Sequence, residues 1–242
     1  MNMLAGPPPA LALSFLFLVA IMYSVLVMGI TFAINKIPDA SKMPVYIVRA
    51  VVGAFLLITG VVAMQGIFLQ WDTIPPRIFF AIAPGFLLLM ILAFLPRARA
   101  WLKETPQSWL IFPQVFRIIV ELQLHELANY PVLPKLMTWE GRNFDIVMGT
   151  TALLMGFYVR KAEKKGELAK TKKLVIAWNV LGILILGNTV VNGLLSAPTA
   201  LRLIVVEPPN TAIGYFPYIW LPCFLVPYAF LFHIWSLRRA TL

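Results

Sequence analysis

The chain alternates between long charge-free apolar stretches and short segments crowded with lysine and arginine. No Asp, Glu, Lys or Arg occurs before Lys36, between Arg49 and Asp72, between Arg77 and Arg97, between Lys173 and Arg202, or between Glu207 and Arg238. Apolar runs of this length cross a hydrocarbon core of roughly 30 Å as helices. The pattern predicts an all-α, polytopic transmembrane helical bundle forming one domain over 1–242. Seven spans are read at residues 10–33, 46–70, 78–96, 108–129, 143–159, 174–196 and 215–236. The first is taken as a retained helix, because no basic segment precedes it and no small-residue cleavage site ends it. The fourth is the most polar, with Arg117 and Glu121 well inside it, and the fifth is free of charge only over 146–159.

Composition agrees. Apolar residues make up 60% of the chain and charged residues 12%, against roughly 45–50% and 25% in an ordinary soluble domain. The same figures exclude disorder, which needs low hydrophobicity and high charge. The formal net charge of +10 would suggest nucleic acid in a soluble protein. Here the basic residues sit beside spans, so no nucleic-acid partner is expected. Fifteen of the twenty fall on one set of alternate connections, 34–49, 97–107, 160–173 and the tail 237–242. The positive-inside rule then places the N-terminus outside and the C-terminus in the cytoplasm. The most basic segment, Arg160 to Lys173, reads as a solvated topology determinant, with an anionic-lipid or partner surface as the alternative.

Ionisable groups inside spans are costly and therefore informative. On a helix, Gln114, Arg117, Glu121 and His125 fall within an arc of roughly 80°, forming one polar stripe toward the bundle interior. Arg117 and Glu121, at i and i+4, are expected to pair within the helix. Nearby in sequence stand Glu140, Arg142, Asn143 and Asp145, the last at a helix start where a carboxylate complements the dipole. Asn188, Asn192 and Ser196 share a face toward the outer end of the sixth span, where amides also serve as glue between helices. Most acidic residues lie at mid-depth or beyond, so the site is expected to open outward.

His233 is read as near the cytoplasmic end and apart from this cluster. A haem held by His125 and His233, or a metal between them, is therefore argued against, and no metal site is predicted. A site with one histidine, joining Glu121 and His125 to Glu126 or Asp145, has no specific ligand spacing behind it. Retinal is argued against because no lysine lies inside a span. With only Cys223, an internal disulfide is excluded. No three-histidine set, intramembrane serine-protease motif or phosphate-binding loop occurs. In the seventh span Pro217, Pro222 and Pro227 recur every five residues. The last two are expected to kink the helix and widen its outer half.

The segments Met137-Thr-Trp-Glu-Gly-Arg-Asn-Phe-Asp-Ile146, Trp178-Asn-Val-Leu-Gly182, Leu195-Ser-Ala-Pro-Thr199 and Phe216-Pro-Tyr-Ile-Trp-Leu-Pro222 resemble those of an uncharacterised group of bacterial seven-helix membrane proteins. The likeness spans residues 110–240 and implies a bacterial inner membrane, with no activity attached. The favoured reading is an outward-facing polar cavity that binds a small polar or anionic ligand or a lipid headgroup. Its candidate residues are Arg117, Glu121, His125, Glu140, Arg142, Asn143, Asp145, Asn188 and Asn192. A proton-coupled transporter using Arg117, Glu121 and His125 is the first alternative. Its inner half would be supplied with little beyond Asn179 and His233. The second alternative is a structural subunit with a membrane-protein partner. Enzymatic readings rank below these because no nucleophile is evident.

Overall fold

The computed structural model describes residues 7–242; residues 1–6, on which the expectation of a retained first helix partly rests, lie outside it. Eight α-helices occur among the described residues: α1 Pro9–Asn35, α2 Met43–Met64, α3 Phe79–Phe94, α4 Ala98–Glu104, α5 Phe116–Leu127, α6 Asp145–Lys164, α7 Leu168–Ser196 and α8 Val226–Ala240. Prolines and two glycines, Gly66 and Gly166, punctuate them. Pro9 opens α1, where its missing N–H costs nothing. Gly66, at φ +70°, follows α2 in the left-handed conformation that only glycine adopts freely. Pro96 lies just beyond the end of α3.

Four helices are long and apolar enough to cross a membrane: α1, α2, α7 and the stretch Leu221–Ala240 that contains α8. A fifth is added if α3 and α4, bent by 67° at a short break, count as one span. Their outward surfaces are apolar too, with Phe17, Leu57, Phe80 and Leu184 each more than 60% exposed. In water such a surface would be a liability, whereas lipid solvates it.

The region read as the fourth span differs most from expectation. Residues 108–129 form two 3₁₀ turns, Gln107–Leu110 and Phe112–Val115, followed by the 12-residue α5. At 1.5 Å per residue α5 covers only about 18 Å. Pro106 and Pro113, which cannot donate within a helix, set these breaks. The basic segment 160–173 is likewise not an open loop. Helix α6 runs to Lys164 and α7 begins at Leu168, so two charged helix ends meet at a short turn.

The last span carries the expected distortion in a specific form. Leu221–Leu225 is a π-helical turn with Pro222 at its second position, and Pro227 is the second residue of α8. A π turn inserts one residue into the helix and so absorbs the unmatched backbone. Gly85 of α3 packs against it so closely that a Cβ there would sit 1.9 Å from the Cys223 carbonyl oxygen. Helix α8 packs against α7 and α3, and α6 packs against both α5 and α7. The polar residues lie between α5, α6, α7 and α8.

Candidate functional site

Arg117 is 2% exposed, Glu121 is fully buried, and Gln114 is 1% exposed, so three members of the predicted stripe do face the interior. Their partners differ from the expected ones. Arg117 does not pair with Glu121 one turn away. Its guanidinium forms a salt bridge with Asp145, on the first turn of α6. Glu121 instead accepts a hydrogen bond from the Asn143 amide. The reason is packing. Gly149 lets α6 approach α5 closely, since a Cβ there would fall 2.8 Å from the backbone nitrogen of Ile118 and 3.3 Å from the Arg117 Cβ. Asp145 lies four residues earlier on the same helix and meets the guanidinium.

Asn143 organises the junction. Its side chain donates also to the Met137 carbonyl at 3.1 Å, and its oxygen accepts from the Asp145 backbone N–H at 3.1 Å. The Thr189 hydroxyl of α7 lies 2.9 Å from the Asn143 oxygen and 3.3 Å from the Asp145 carboxylate. Helices α5 and α7 and the connection before α6 thus converge on one pair of carboxylates.

The cluster also contains His233, contrary to its sequence-based placement. His233 Nε2 lies 3.1 Å from Arg117 Nη1, and His233 Nδ1 lies 2.9 Å from the Asn179 side-chain oxygen. Depth reckoned from residue 215 makes the histidine too deep. The continuous span begins at Leu221, so His233 is about 18 Å along it, near the middle. Gly182 provides the room, because a Cβ there would lie 2.3 Å from the imidazole Cε1. Arg117 can only donate, so Nε2 accepts and the ring proton resides on Nδ1.

From His233 the chain of contacts continues toward the basic end. The Asn179 amide donates to Ser236 Oγ at 2.8 Å, and Gln107 donates to the same oxygen at 2.7 Å. Gln107 lines a second cavity, of about 230 Å³, together with Thr171, Lys172 and Arg239. Asn179 and His233 thus join the buried cluster to Ser236 and Gln107. Asn179, Ser236 and Thr189 carry no sequence signal beyond being polar in apolar helices.

A cavity of about 150 Å³ adjoins the carboxylates, with Glu121, Asn143, Asp145, Thr189 and Asn210 in its wall. Apart from Thr199 the rest is apolar and includes Ile82, Phe86 and Pro222, the last from the π turn. Two buried side-chain oxygens here have no hydrogen-bond partner among the described residues, Glu121 Oε2 and Asn210 Oδ1. Both are acceptors. Arg117 does not line the cavity.

The matching family model is described as a domain of unknown function, DUF8737, and covers residues 75–241, more than half of the chain. The chain belongs to the DUF8737 family. No curated protein and no solved structure matches it. The residues matched by the DUF8737 model run from just before α3 to the end of α8 and hold every polar group of the cluster; α1 and α2 precede them.

The remaining candidates of this DUF8737 protein lie apart from the buried cluster. His125 is half-exposed, stacked on Trp139 at 4.3 Å between centroids, with Nδ1 3.7 Å from Glu140. Asn192 donates to Asn188, and Asn188 donates to the Arg142 carbonyl at 2.7 Å, tying α7 to the connection before α6. The Arg142 side chain is exposed. Among the described residues no three His, Cys, Asp or Glu side chains are grouped to hold a metal ion. Glu121 faces Asn143, whereas His125 faces Glu140.

Glu140 accepts a hydrogen bond from Lys135 at 3.0 Å, and that bond, with the lysine's charge, holds its carboxyl below the ordinary value of 4.5. A depressed carboxyl stabilises the fold above its unfolded-state value and loses that contribution as pH falls through the lowered one. The Lys135→Met variant is expected to return the Glu140 midpoint toward 4.5, as read by a ¹³C-carboxyl titration. An unmoved midpoint would mean that Lys135 is not the cause.

Proposed function

We propose that this protein binds, within the membrane, a small apolar-bodied molecule bearing one hydrogen-bond-donating head, an amine in the simplest case. The observation that carries this reading is the pair of unpartnered acceptors, Glu121 Oε2 and Asn210 Oδ1, on the wall of a mostly apolar cavity. Buried acceptors left without donors are costly, and a donor between them recovers that cost. Arg117 is the residue that the sequence offers to an anionic ligand. With its charge taken up by Asp145, a donor fits better than an anion. A volume of about 150 Å³ suits a body of roughly benzene size.

In the same proposal the chain crosses a bacterial inner membrane seven times, with its basic connections in the cytoplasm. The charge count and the sequence resemblance support this. Proton-coupled transport is the second reading, favoured by the continuation of polar contacts from the cavity wall to Gln107. Arg117 stays protonated in proteins, so any coupling would run through its charge rather than through proton transfer.

Calorimetric titration of the purified protein with benzylamine and with toluene, which shares its body but lacks the amine, tests the proposal. Benzylamine is expected to bind more tightly, and Glu121→Gln is expected to abolish the preference. Equal affinities in the native protein, or a preference unchanged in both Glu121→Gln and Asn210→Ala, would overturn it. A benzylamine-dependent, pH-driven flux in reconstituted vesicles would move transport ahead of simple binding.

A further inference from the structure

A larger groove, of about 560 Å³, lies against α1 and α4, apart from the carboxylate cavity. Its volume falls within the range of roughly 300–1,000 Å³ usual for small-molecule sites. The sides are Met28, Gly29 and Phe32 of α1 and Trp101 of α4, with Trp109 from the first 3₁₀ turn and Trp235 of α8 also in the lining. It opens at the bundle surface, where Met28 is 68% and Trp109 45% exposed. Trp235 is buried, and its indole N–H has no acceptor among the described residues. A wall that is almost wholly apolar asks for an occupant that is mostly hydrocarbon.

The rim is basic. The Lys36 ammonium stands 4.5 Å above the ring of Phe32, itself a lining residue. Arg97, Arg99 and Lys103 lie on or beside α4 and are exposed. Asp39 and Glu104 are the nearest acids in sequence, and among the described residues neither forms a salt bridge with these four cations. Tryptophans at a membrane boundary beside unpaired lysine and arginine are the combination that meets an anionic lipid surface.

We propose that this groove holds an acyl chain of an anionic glycerophospholipid drawn from the adjacent leaflet, with the headgroup against Lys36 and the α4 cations. The site is independent of the carboxylate cavity and shares no lining residue with it. Gly29 offers a clean probe, because a Cβ added there meets nothing within 4 Å. Leucine at this position therefore fills the groove without disturbing α1.

The test is native mass spectrometry on the full chain, delipidated in mild detergent and offered phosphatidylglycerol or phosphatidylcholine with identical acyl chains. Retention of phosphatidylglycerol over phosphatidylcholine is expected. Gly29→Leu should remove the bound phosphatidylglycerol while its thermal unfolding in the same detergent stays unchanged. The exposed pair Lys36→Gln and Lys103→Gln should reduce the selectivity by about 30-fold, the equivalent of two surface cations. Equal retention of both lipids, or phosphatidylglycerol retained in full by Gly29→Leu, would overturn the proposal. If Gly29→Leu does unfold early, the two-lysine variant alone decides it by keeping or losing the selectivity.

Discussion

Replacing Arg117 with methionine is expected to destabilise the protein by about 3–5 kcal/mol, the cost of leaving one member of a buried ion pair without its partner. Asp145 would lose its salt bridge, and His233 Nε2 would lose its donor at the same time. The loss should be partly reversible by a second change. In Arg117→Met combined with Asp145→Leu, neither member of the pair is left as an uncompensated charge, so the double variant should be more stable than Arg117→Met alone. Reversible unfolding in mixed micelles, with the four members of the cycle compared, measures the coupling. Additive losses would mean that the two side chains do not act as a pair.

The second large effect concerns a residue without a side chain. Alanine at 182 would place a methyl 2.3 Å from the His233 Cε1 and 2.5 Å from its Nε2. The imidazole cannot swing aside cheaply, since Arg117 and Asn179 hold its two nitrogens. Gly182→Ala should therefore cost about 1–3 kcal/mol, the usual penalty for overpacking. Gly187 is the control, on the same helix, where an added methyl would meet nothing within 4 Å. Alanine there should be neutral or gain up to about 1 kcal/mol of helix propensity. If both substitutions behave alike in the same unfolding assay, close packing at Gly182 is not what seats His233.

These expectations also show which parts of the molecule are legible in its sequence. Arg117, Glu121, Asn143 and Asp145 stand out because polar groups inside or beside apolar runs are expensive, and periodicity alone puts Arg117 and Glu121 on one inward face. Periodicity cannot say which acid takes the guanidinium. It favours the neighbour at i+4, whereas Gly149 and the approach of α6 decide for Asp145. His233 is misplaced by any count of depth that treats the helix as regular from residue 215. Asn210 has no signal at all, lying on an irregular connection where no period applies. His125, read as the stripe's fourth member, emerges at the end of α5 and stacks on Trp139 instead. The region 108–129 has the composition of a span, yet Pro106 and Pro113 leave only a short helix.

The π turn at Leu221–Leu225 divides the last span into two helical phases. One inserted residue rotates everything beyond it by about 100° relative to an uninterrupted α-helix. The face of α8 that presents His233 and Ser236 to the interior is thus no continuation of the face before the turn. Where the phases are spliced, ridges on one side no longer meet grooves on the other. Leu221, Pro222 and Val226 from this splice line the 150 Å³ cavity, while its other side closes on Gly85 through the Cys223 carbonyl. The hollow beside Glu121 is thus the packing remainder of a helix out of step with itself, and the same splice sets the phase in which His233 reaches Arg117.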